Sequence, residues 1–169
     1  MTARLVLRPF TLDDVDRVHD YQRLPEVARH LLWEPRDREQ TRTAVEQMAT
    51  ETTLDGENDC LCLAVVRGDV AIGQVELVRR GPEHGELGYI FHPDHHGKGF
   101  ATEAAMALLH LGFDLGMTEI IGRCSARNDA SVHLLRRLGM RQTAADRVFV
   151  KGEWRDALTF SVTRTDEPR

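Results

Sequence analysis

The sequence predicts one α/β (α+β) domain, in which about seven strands form a sheet and helices pack on it. Seven short runs carry strand-like apolar patterning, and apolar residues recur at helical spacing in several of the segments between them. The 169 residues contain no repeat and no linker long enough to divide them. A chain of this length buries about 70% of the surface of its unfolded form, so residues 1–169 are expected to form a single domain.

The first fifty residues predict one strand and two helices. Residues 3–10 alternate apolar and polar side chains, as a strand does. Thr11, with Asp14 three residues later, forms a capping-box pattern that starts a helix. A second helix is expected over about residues 39–52. The stretch between them, residues 24–35, is expected to be irregular because prolines stand at both of its ends.

Three neighbouring antiparallel strands are expected in the middle of the chain. They cover residues 60–66, 70–78 and 85–92. A tight turn at Gly68 joins the first two into a hairpin, because glycine adopts the backbone angles that short hairpin turns need. The third strand should stop at His92, since Pro93 has no N–H group to donate to a sheet.

Two amphipathic helices and three further strands are expected in the second half of the chain. The helices cover about residues 99–115 and 128–138, and the strands about 118–124, 141–150 and 154–163. Gly139 follows the second helix, in the position where left-handed backbone commonly ends a helix. The two last strands are joined by a short turn around Gly152 and therefore form a hairpin.

Composition narrows the classes of partner and compartment. The net charge of −5 argues against a nucleic-acid surface and favours cationic partners such as amines. No apolar run approaches the roughly 20 residues of a membrane span, and charges and a proline interrupt the first ten residues where a signal peptide needs apolar ones. A cytoplasmic protein is expected.

Cys60, Cys62 and Cys124 form neither an even disulfide set nor a C-x-x-C pair, so we expect buried or half-buried thiols.

The glycine turn at residues 97–99 lies between a predicted strand and a predicted helix. The first N–H groups of a helix lack intrahelical partners and carry partial positive charge, so this turn is a candidate site for a pyrophosphate. The dinucleotide-binding pattern fails, because Thr102 stands where its third glycine belongs and no acidic residue ends the next strand. The P-loop pattern fails, because Lys98 is followed by Gly99 and not by serine or threonine. A plain strand-to-helix turn remains the alternative.

Four histidines in or near this turn raise the question of a metal site. They are His84, His92, His95 and His96. Imidazole is a common zinc ligand. The rings of His92, His95 and His96 would point to one side only if these residues formed a helix, whereas Pro93 and Gly97 predict a turn. No Asp, Glu or Cys completes a recognisable ligand set. Solvated loop histidines are therefore expected, and no metal is predicted.

Several motifs together resemble a known family. H-H-G-K-G-F-A-T-E-A, residues 95–104, resembles the acetyl-CoA pyrophosphate loop of the GNAT N-acetyltransferases, and in particular of their RimJ/RimL-like ribosomal-protein acetyltransferase branch. Residues 4–9 are similar to that branch's opening strand, 85–91 to its central strand, 128–140 to its late helix and 151–156 to its final hairpin. The resemblance extends over roughly residues 3–163, although Asp94 stands where the superfamily often has Gln or Arg.

This resemblance implies a mixed, strongly twisted, mostly antiparallel sheet with helices on both faces, opened near Tyr89 to His92. The pantetheine arm of the co-substrate acetyl-CoA would pair there with the strand edge, and no metal would be needed. Ile90, Phe91 and His92 would meet the acetyl and pantetheine portions, the turn would hold the pyrophosphate, and Asn128 would contact the pantetheine. The full set of donor-binding residues is Ile90, Phe91, His92, His95, Gly97, Lys98, Gly99, Phe100, Ala101, Thr102 and Asn128.

The implied reaction is direct attack of a neutral amine on the thioester, through a tetrahedral intermediate whose oxyanion a strand N–H near Ile90 stabilises. A base must first take a proton from the ammonium group. Glu86 is our candidate, because strand alternation places it on one face with Gly88 and Ile90, and Glu76 on the preceding strand is the rival. Relatives carry a proton-donating tyrosine where this chain has Leu135. Ser131 is the candidate donor to the leaving thiolate in its place.

The acceptor amine is the least determined part of the hypothesis. The branch resemblance favours a protein N-terminus, and a polyamine, an amino acid or a drug-like amine stays open. A domain that binds acyl-CoA without turnover, as a sensor, is the alternative from another class, and a nucleotide-binding protein is a more distant one. No direct nucleic-acid or membrane partner is expected, and a homodimer is left open.

Overall fold

The computed structural model of this chain describes residues 2–166, and its centre is one sheet of seven strands. The strands are β1 (Val6–Pro9), β2 (Cys60–Arg67), β3 (Val70–Arg79), β4 (His84–Phe91), β5 (Glu119–Ser125), β6 (Arg141–Val150) and β7 (Glu153–Thr163). Their order across the sheet is β1-β2-β3-β4-β5-β7-β6. Every neighbouring pair is antiparallel except β4 and β5, which confirms the mixed, mostly antiparallel sheet.

Helices pack on both faces of this sheet, as expected. They are α1 (Val15–Gln22), α2 (Pro25–Ala28), α3 (Arg38–Met48), α4 (Phe100–Asp114) and α5 (Asp129–Arg137). Side chains alternate along β2 accordingly. Cys62 and Ala64 belong to the apolar cluster that includes α1 and α3, whereas Val65 belongs to the larger cluster that includes α4 and α5. The sheet is therefore the middle of three layers, with apolar packing on each side.

Strand β4 separates from β5 part-way along its length. The parallel pairing runs only from His84–Leu87 against Glu119–Gly122. Beyond it β4 keeps its pairing with β3 as far as Phe91, and β5 keeps its pairing with β7 as far as Ser125. Within the described chain, residues 88–91 of β4 therefore have no strand partner on the β5 side. This opening, hereafter the β4–β5 seam, confirms the expectation of an open sheet near Tyr89.

Helices α2 and α3 differ from expectation. Helix α2 lies in the segment that was predicted to be irregular, and α3 is shorter than predicted. A single helical turn, α2, forms at Pro25, because a proline in the first turn needs no N–H donor and already has a helical φ. Helix α3 ends at Met48, well before residue 52. Residues 51 and 52 cannot continue the helix because they pair with β2. The N–H of Cys62 donates to the carbonyl of Glu51, and Thr52 forms a β-bridge with Leu61.

The three cysteines are buried or half-buried and free, as predicted. Burial raises the pKa of the Cys60 thiol to about 12 and also raises the pKa values of the Cys62 and Cys124 thiols. All three therefore remain protonated near neutral pH and behave as small apolar side chains. None of the helices in residues 2–166 is long and apolar enough to cross a membrane.

An ion pair at the start of α1 ties this helix to β1. The predicted capping box is present at a 3-10 turn, Leu12–Asp14, that leads into α1, with Thr11 as the N-cap of that turn and Asp14 accepting from the Thr11 N–H at 2.9 Å. The guanidinium of Arg8 donates to both carboxylate oxygens of Asp14 at 2.7 Å, and Asp14 is only 4% exposed. Burial alone acts to raise the pKa of Asp14, but the hydrogen bonds from Arg8 and Thr11 outweigh it and lower this pKa.

Replacing Arg8 by methionine tests this pair. Arg8→Met should lower the free energy of unfolding by about 2 kcal/mol near pH 7, because it leaves a buried carboxylate without its cation. The depressed pKa of Asp14 stabilises the fold above the unfolded-state pKa and is lost as pH falls through the folded-state pKa, so the difference from the parent should shrink in acid. Urea unfolding at several pH values measures both effects.

The matched control is Arg38→Met. Arg38 pairs with Asp16 at 2.6 Å, but both side chains are mostly exposed, so the loss should stay below about 1 kcal/mol. Equal losses in the two variants would contradict the role assigned to burial of Asp14.

Candidate active site

Two cavities open on opposite faces of the sheet and meet at the β4–β5 seam. The α4–α5 cavity, of about 550 Å³, is lined by the turn before α4 and by α5. The α3 cavity, of about 600 Å³, is lined by α3 and by the adjoining face of β3 and β4. Tyr89 and Ile90 line both. A molecule lying in the seam therefore reaches both faces of the sheet.

The glycine turn forms one wall of the α4–α5 cavity. Gly97 and Gly99 have φ values of +72° and +80°, which side chains rarely adopt, and Gly99 is the N-cap of α4. The N–H of Glu103 makes the first helical hydrogen bond, to the carbonyl of Gly99 at 3.0 Å. The N–H groups of residues 100–102 precede that bond and are available to an anion.

An unsatisfied ring nitrogen lies in the same wall. Nδ1 of His95 is buried and, within residues 2–166, has no hydrogen-bond partner. Burial, with the nearby charge of Lys98, lowers the pKa of His95, so the ring is neutral near pH 7. A buried polar atom without a partner costs free energy, and a phosphate oxygen in this cavity would supply one. The turn therefore fits the pyrophosphate that the sequence predicts there.

Most of the predicted donor-binding residues lie together in this cavity. Those that line it are Ile90, Phe91, His95, Gly97, Gly99, Phe100, Ala101, Thr102 and Asn128. Lys98 and His92 do not line it. The Lys98 ammonium donates to the carbonyl of Asp94 at 2.7 Å, and the Asp94 N–H donates to Nδ1 of His92 at 3.2 Å. In this structure both side chains stabilise the turn itself.

A second set of contacts holds the turn from outside. The Arg4 guanidinium donates to Glu103 at 2.7 Å and to the carbonyl of Lys98 at 3.1 Å. Partial burial acts to raise the pKa of Glu103, but hydrogen bonds from Thr2 and Arg4 outweigh it and lower this pKa. The carboxylate is therefore ionised and engaged with the N-terminal segment, at the helix end where negative charge is favoured.

The two candidate bases differ in their surroundings. Glu86 accepts from the Arg80 guanidinium at 2.8 Å and lies 3.6 Å from that of Arg123. Glu76 is half-buried on the same face, beside Gly88 in the β3–β4 register. A Cβ atom at Gly88 would stand 2.5 Å from Oε1 of Glu76, so glycine is what leaves room for this carboxylate.

The environment of Glu76 strengthens its hold on a proton. Burial raises its pKa, and the negative charges of Glu51 and Glu86 raise it further, against a smaller opposing effect of Arg80. Among the described residues no side chain or N–H forms a hydrogen bond or ion pair with the Glu76 carboxylate. Both carboxylates line the α3 cavity, on the side of the seam opposite the glycine turn.

The start of α5 borders the seam from the β5 side. The Asn128 side chain caps α5 by accepting from the Ser131 N–H at 3.2 Å. The Tyr89 hydroxyl donates across the seam to the Ser131 carbonyl at 3.4 Å, and burial raises the pKa of Tyr89 to about 12. Leu135 is 1% exposed and packs against Gly122 of β5. Leu135 is therefore a core residue with no access to the seam.

The His92 and His95 rings meet edge to face with centroids 6.0 Å apart, but His84 lies away from them. Among residues 2–166 no group of three or more His, Cys, Asp or Glu side chains is arranged to hold a metal ion. His84 lies at the opposite end of β4, 3.8 Å from Glu119. His96 bonds the carbonyl of Phe91 at 3.0 Å and so fixes the end of the strand.

Of the four residues that line both cavities, Tyr89, His30 and Leu31 were not among the candidates. Tyr89 lies inside the motif at residues 85–91, and the expected opening of the strand there was the available signal. His30 and Leu31 follow α2 and line both cavities beside Tyr89 and Ile90. They belong to the segment that was expected to be irregular, so no periodicity pointed to them.

Comparison with known proteins identifies the family. A family model described as acetyltransferase (GNAT) domain matches residues 4–141. The chain belongs to the GNAT acetyltransferase family. An uncharacterised N-acetyltransferase, p20 of Bacillus licheniformis, is 31% identical over 171 residues, which cover 98% of this chain and 96% of the relative. The crystal structure of a GNAT-family acetyltransferase from Bacillus anthracis matches with a TM-score of 0.86 at 25% identity, over 96% of each chain.

Two further solved structures are of acetyltransferases named for different acceptors. One is a spermidine N-acetyltransferase from Vibrio cholerae with CoA and spermine, with a TM-score of 0.80 at 20% identity over 97% of this chain and 98% of that one. The other is RimL, a ribosomal L7/L12 α-N-protein acetyltransferase with CoA, with a TM-score of 0.81 at 18% identity over 96% and 95%. These likenesses show the fold alone, so the RimJ/RimL-like branch stays a prediction. The chain is an acetyl-CoA-dependent N-acetyltransferase of the GNAT family.

Replacing Gly99 by valine tests the glycine turn of this GNAT protein. A branched side chain at φ +80° forces the backbone away from its present course, and its Cβ would also stand 3.3 Å from the Arg4 guanidinium. The N–H groups at the start of α4 would then move off the position predicted for the pyrophosphate. Acetyl-CoA affinity, measured by calorimetry, should weaken about tenfold or more.

The control is Gly116→Val at the other end of α4. Gly116 has a φ of +88° and open space around its Cβ position, so the backbone strain is of the same kind. The control should lose similar stability and keep acetyl-CoA affinity. Unchanged affinity in a folded Gly99→Val protein would remove the pyrophosphate from this turn.

Proposed function

We propose that the protein transfers the acetyl group of acetyl-CoA to a primary amine bound in the α3 cavity, by direct attack of the neutral amine on the thioester. One observation carries the proposal. The β4–β5 seam joins a cavity with an anion-binding helix start to a cavity that holds a half-buried carboxylate. A thioester lying in the seam would have its leaving thiolate near α5 and its carbonyl open to attack from the α3 cavity.

The donor would be held mainly by backbone groups. The N–H groups at the start of α4 would bind the pyrophosphate, and the free edge of residues 88–91 would pair with the pantetheine amides as a missing strand does. Asn128 uses its side-chain oxygen to cap α5, which leaves its amide NH₂ for the pantetheine. A strand N–H near Ile90 would stabilise the oxyanion of the tetrahedral intermediate.

We assign the base to Glu76 in preference to Glu86, directly or through a water molecule. Both oxygens of the Glu86 carboxylate already face an arginine, since Oε2 accepts from Arg80 and Oε1 lies 3.6 Å from the Arg123 guanidinium. Glu76 has no such partner among the described residues, and its raised pKa brings this carboxylate closer to the range of an efficient base. Glu86, with Arg80 and Arg123, would then shape the wall of the acceptor site.

Catalysis and acceptor class are tested by one screen. Thiol release from acetyl-CoA is followed with N-terminal peptides, amino acids and polyamines as acceptors. Turnover that depends on an amine supports the transferase, and preference for peptides supports the protein N-terminus that the branch resemblance favours. Binding of acetyl-CoA without thiol release in the presence of any amine would replace the enzyme by the sensor alternative.

The Glu76→Gln variant tests the base. We expect kcat/KM for the amine to fall about 10²-fold, with acetyl-CoA affinity unchanged, because a proton acceptor is lost while the donor site is intact. Glu86→Gln, which has the same change of charge on the same face, is the matched comparison and should have the smaller effect. An undiminished rate in Glu76→Gln with a large loss in Glu86→Gln would return the base to Glu86.

The same variant has a stability readout with a definite sign. A pKa raised in the folded state means that the folded protein binds the Glu76 proton more tightly than the unfolded chain does. Stability from this group is present in acid and is lost as pH rises through the raised pKa, so the ionised carboxylate costs stability at pH 7. Glu76→Gln should therefore keep or raise the Tm at pH 7 while it lowers turnover.

Ser131→Ala tests the donor to the leaving thiolate. If the Ser131 hydroxyl donates to the CoA sulfur, its loss should lower kcat at least about tenfold when chemistry limits turnover, and leave acetyl-CoA affinity intact. Tyr89→Phe is the companion variant, because the Tyr89 hydroxyl is protonated at neutral pH and lies at the same seam. A rate that falls only in Tyr89→Phe would move the role to the phenol, and unchanged rates in both would mean that the thiolate leaves unaided.

A further inference from the structure

A third cavity, distinct from the two that meet at the seam, lies between the β6–β7 hairpin and the end of α2. This hairpin cavity has a volume of about 850 Å³. Its charged lining comprises Arg29, Arg127, Arg147, Arg155, Glu153 and Asp156. Four guanidinium groups against two carboxylates give it an excess of positive charge, whereas the whole chain carries −5. The local charge is therefore opposite to what the composition predicts.

The positive excess is concentrated on two arginines. Asp156 lies 3.7 Å from the Arg147 guanidinium, and Glu153 accepts from that of Arg155 at 2.6 Å, so each carboxylate has its own cation. The guanidinium groups of Arg29 and Arg127 have no hydrogen-bond or acidic partner among residues 2–166. Guanidinium groups that converge on a cavity without a counter-ion are suited to a carboxylate or a phosphate, which they bind through paired hydrogen bonds.

The cavity is held in shape by contacts between its two walls. The Lys151 ammonium, from the turn of the hairpin, donates to the carbonyl of Ala28 at 2.8 Å. The Arg155 guanidinium donates to the carbonyl of Arg29 at 2.9 Å. These hydrogen bonds satisfy the last carbonyls of α2 and fix Arg29 relative to the hairpin. The two walls of the cavity are therefore fixed relative to each other, and the exposed Arg29 and Arg127 side chains stand at its edge.

The hairpin cavity continues into the α3 cavity. His30, Ser125, Arg155 and Asp156 line both, whereas only Arg29 and His30 are shared with the α4–α5 cavity. Burial lowers the pKa of His30, and the charges of Arg29 and Arg155 lower it further, in agreement with positive potential at this junction. A molecule in the α3 cavity can thus extend toward Arg29 and Arg127 without crossing the seam.

We infer that the acceptor carries an anionic group, a carboxylate or a phosphate, which binds between Arg29 and Arg127 while its amine lies in the α3 cavity near Glu76. This inference rests on the proposed function and makes its substrate class narrower. An acceptor with positive charge at both ends, such as a polyamine, would place a cation against these guanidinium groups and is disfavoured. The acidic composition of the chain as a whole does not reveal this preference.

The test compares matched acceptors on the parent protein and on Arg29→Ala/Arg127→Ala. Each acceptor is used as the free acid and as the carboxamide, in a series from amino acid to tripeptide, with a phosphate-bearing primary amine and spermidine alongside. The parent should prefer an anionic acceptor over its neutral match by about tenfold or more in kcat/KM. In the double variant this preference should disappear, mainly through a higher KM for the anionic acceptors, while kcat/KM for the neutral acceptors stays within about twofold of the parent.

The control is Arg17→Ala/Arg42→Ala. It removes the same charge from α1 and α3, outside these cavities, and should preserve the preference.

Acetyl-CoA also carries phosphates, and the experiment separates that source. Affinities of the double variant for acetyl-CoA and for its 3′-dephospho form should both equal those of the parent. A loss confined to acetyl-CoA would assign Arg29 and Arg127 to the donor's 3′-phosphate and overturn the inference. Equal rates for acids and amides, or a preference for spermidine, would overturn it while leaving the transferase intact. Failure of every amine to release thiol would overturn the proposed function and this inference with it.

Discussion

The two-sided site depends on the divergence of β4 from β5 beyond Leu87. Each strand keeps its other partner at that point, because β4 stays paired to β3 as far as Phe91 and β5 to β7 as far as Ser125. Close contacts hold the diverging strands. A Cβ at Gly73 would stand 2.6 Å from the carbonyl of Ile90, so β3 and β4 approach closely here because that residue is glycine. The open edge thus lies between two strands that each keep their pairing on the outer side.

The distribution of charge gives the two ends of the seam different chemistry. On the helix side, the start of α4 supplies oriented N–H groups, and Glu103 in its first turn is engaged with Arg4. On the α3 side, arginines neutralise Glu86 and leave Glu76 as the carboxylate without a partner in the described chain. An anionic donor and an amine acceptor are each matched by the end that they would occupy. In the proposed reaction, this separation would hold the thioester and the amine next to each other with few charged catalytic side chains.

Sequence reasoning located the elements whose signals are local. Pro93 and the glycines after it fixed the end of β4 and the start of α4, and Thr11 with Asp14 fixed the start of the first helix. Properties set by residues far apart in the chain were not accessible. The pairing of Glu86 with Arg123 depends on the parallel register of β4 and β5, which alternation along one strand does not encode. The hairpin cavity likewise needs Arg29 and Arg127, which only the tertiary fold brings together.

The central claim is that acetyl-CoA occupies the β4–β5 seam as a substitute strand, and amide hydrogen exchange tests it most directly. Residues 88–91 have no strand partner on one side, and residues 100–102 precede the first helical hydrogen bond of α4, so the unpaired amides in both segments should exchange readily in the free protein. Addition of acetyl-CoA should slow exchange in these two segments and leave the β6–β7 hairpin unchanged. Protection confined to the hairpin, or absent from residues 88–91 when the protein is saturated with acetyl-CoA, would contradict this account of the site.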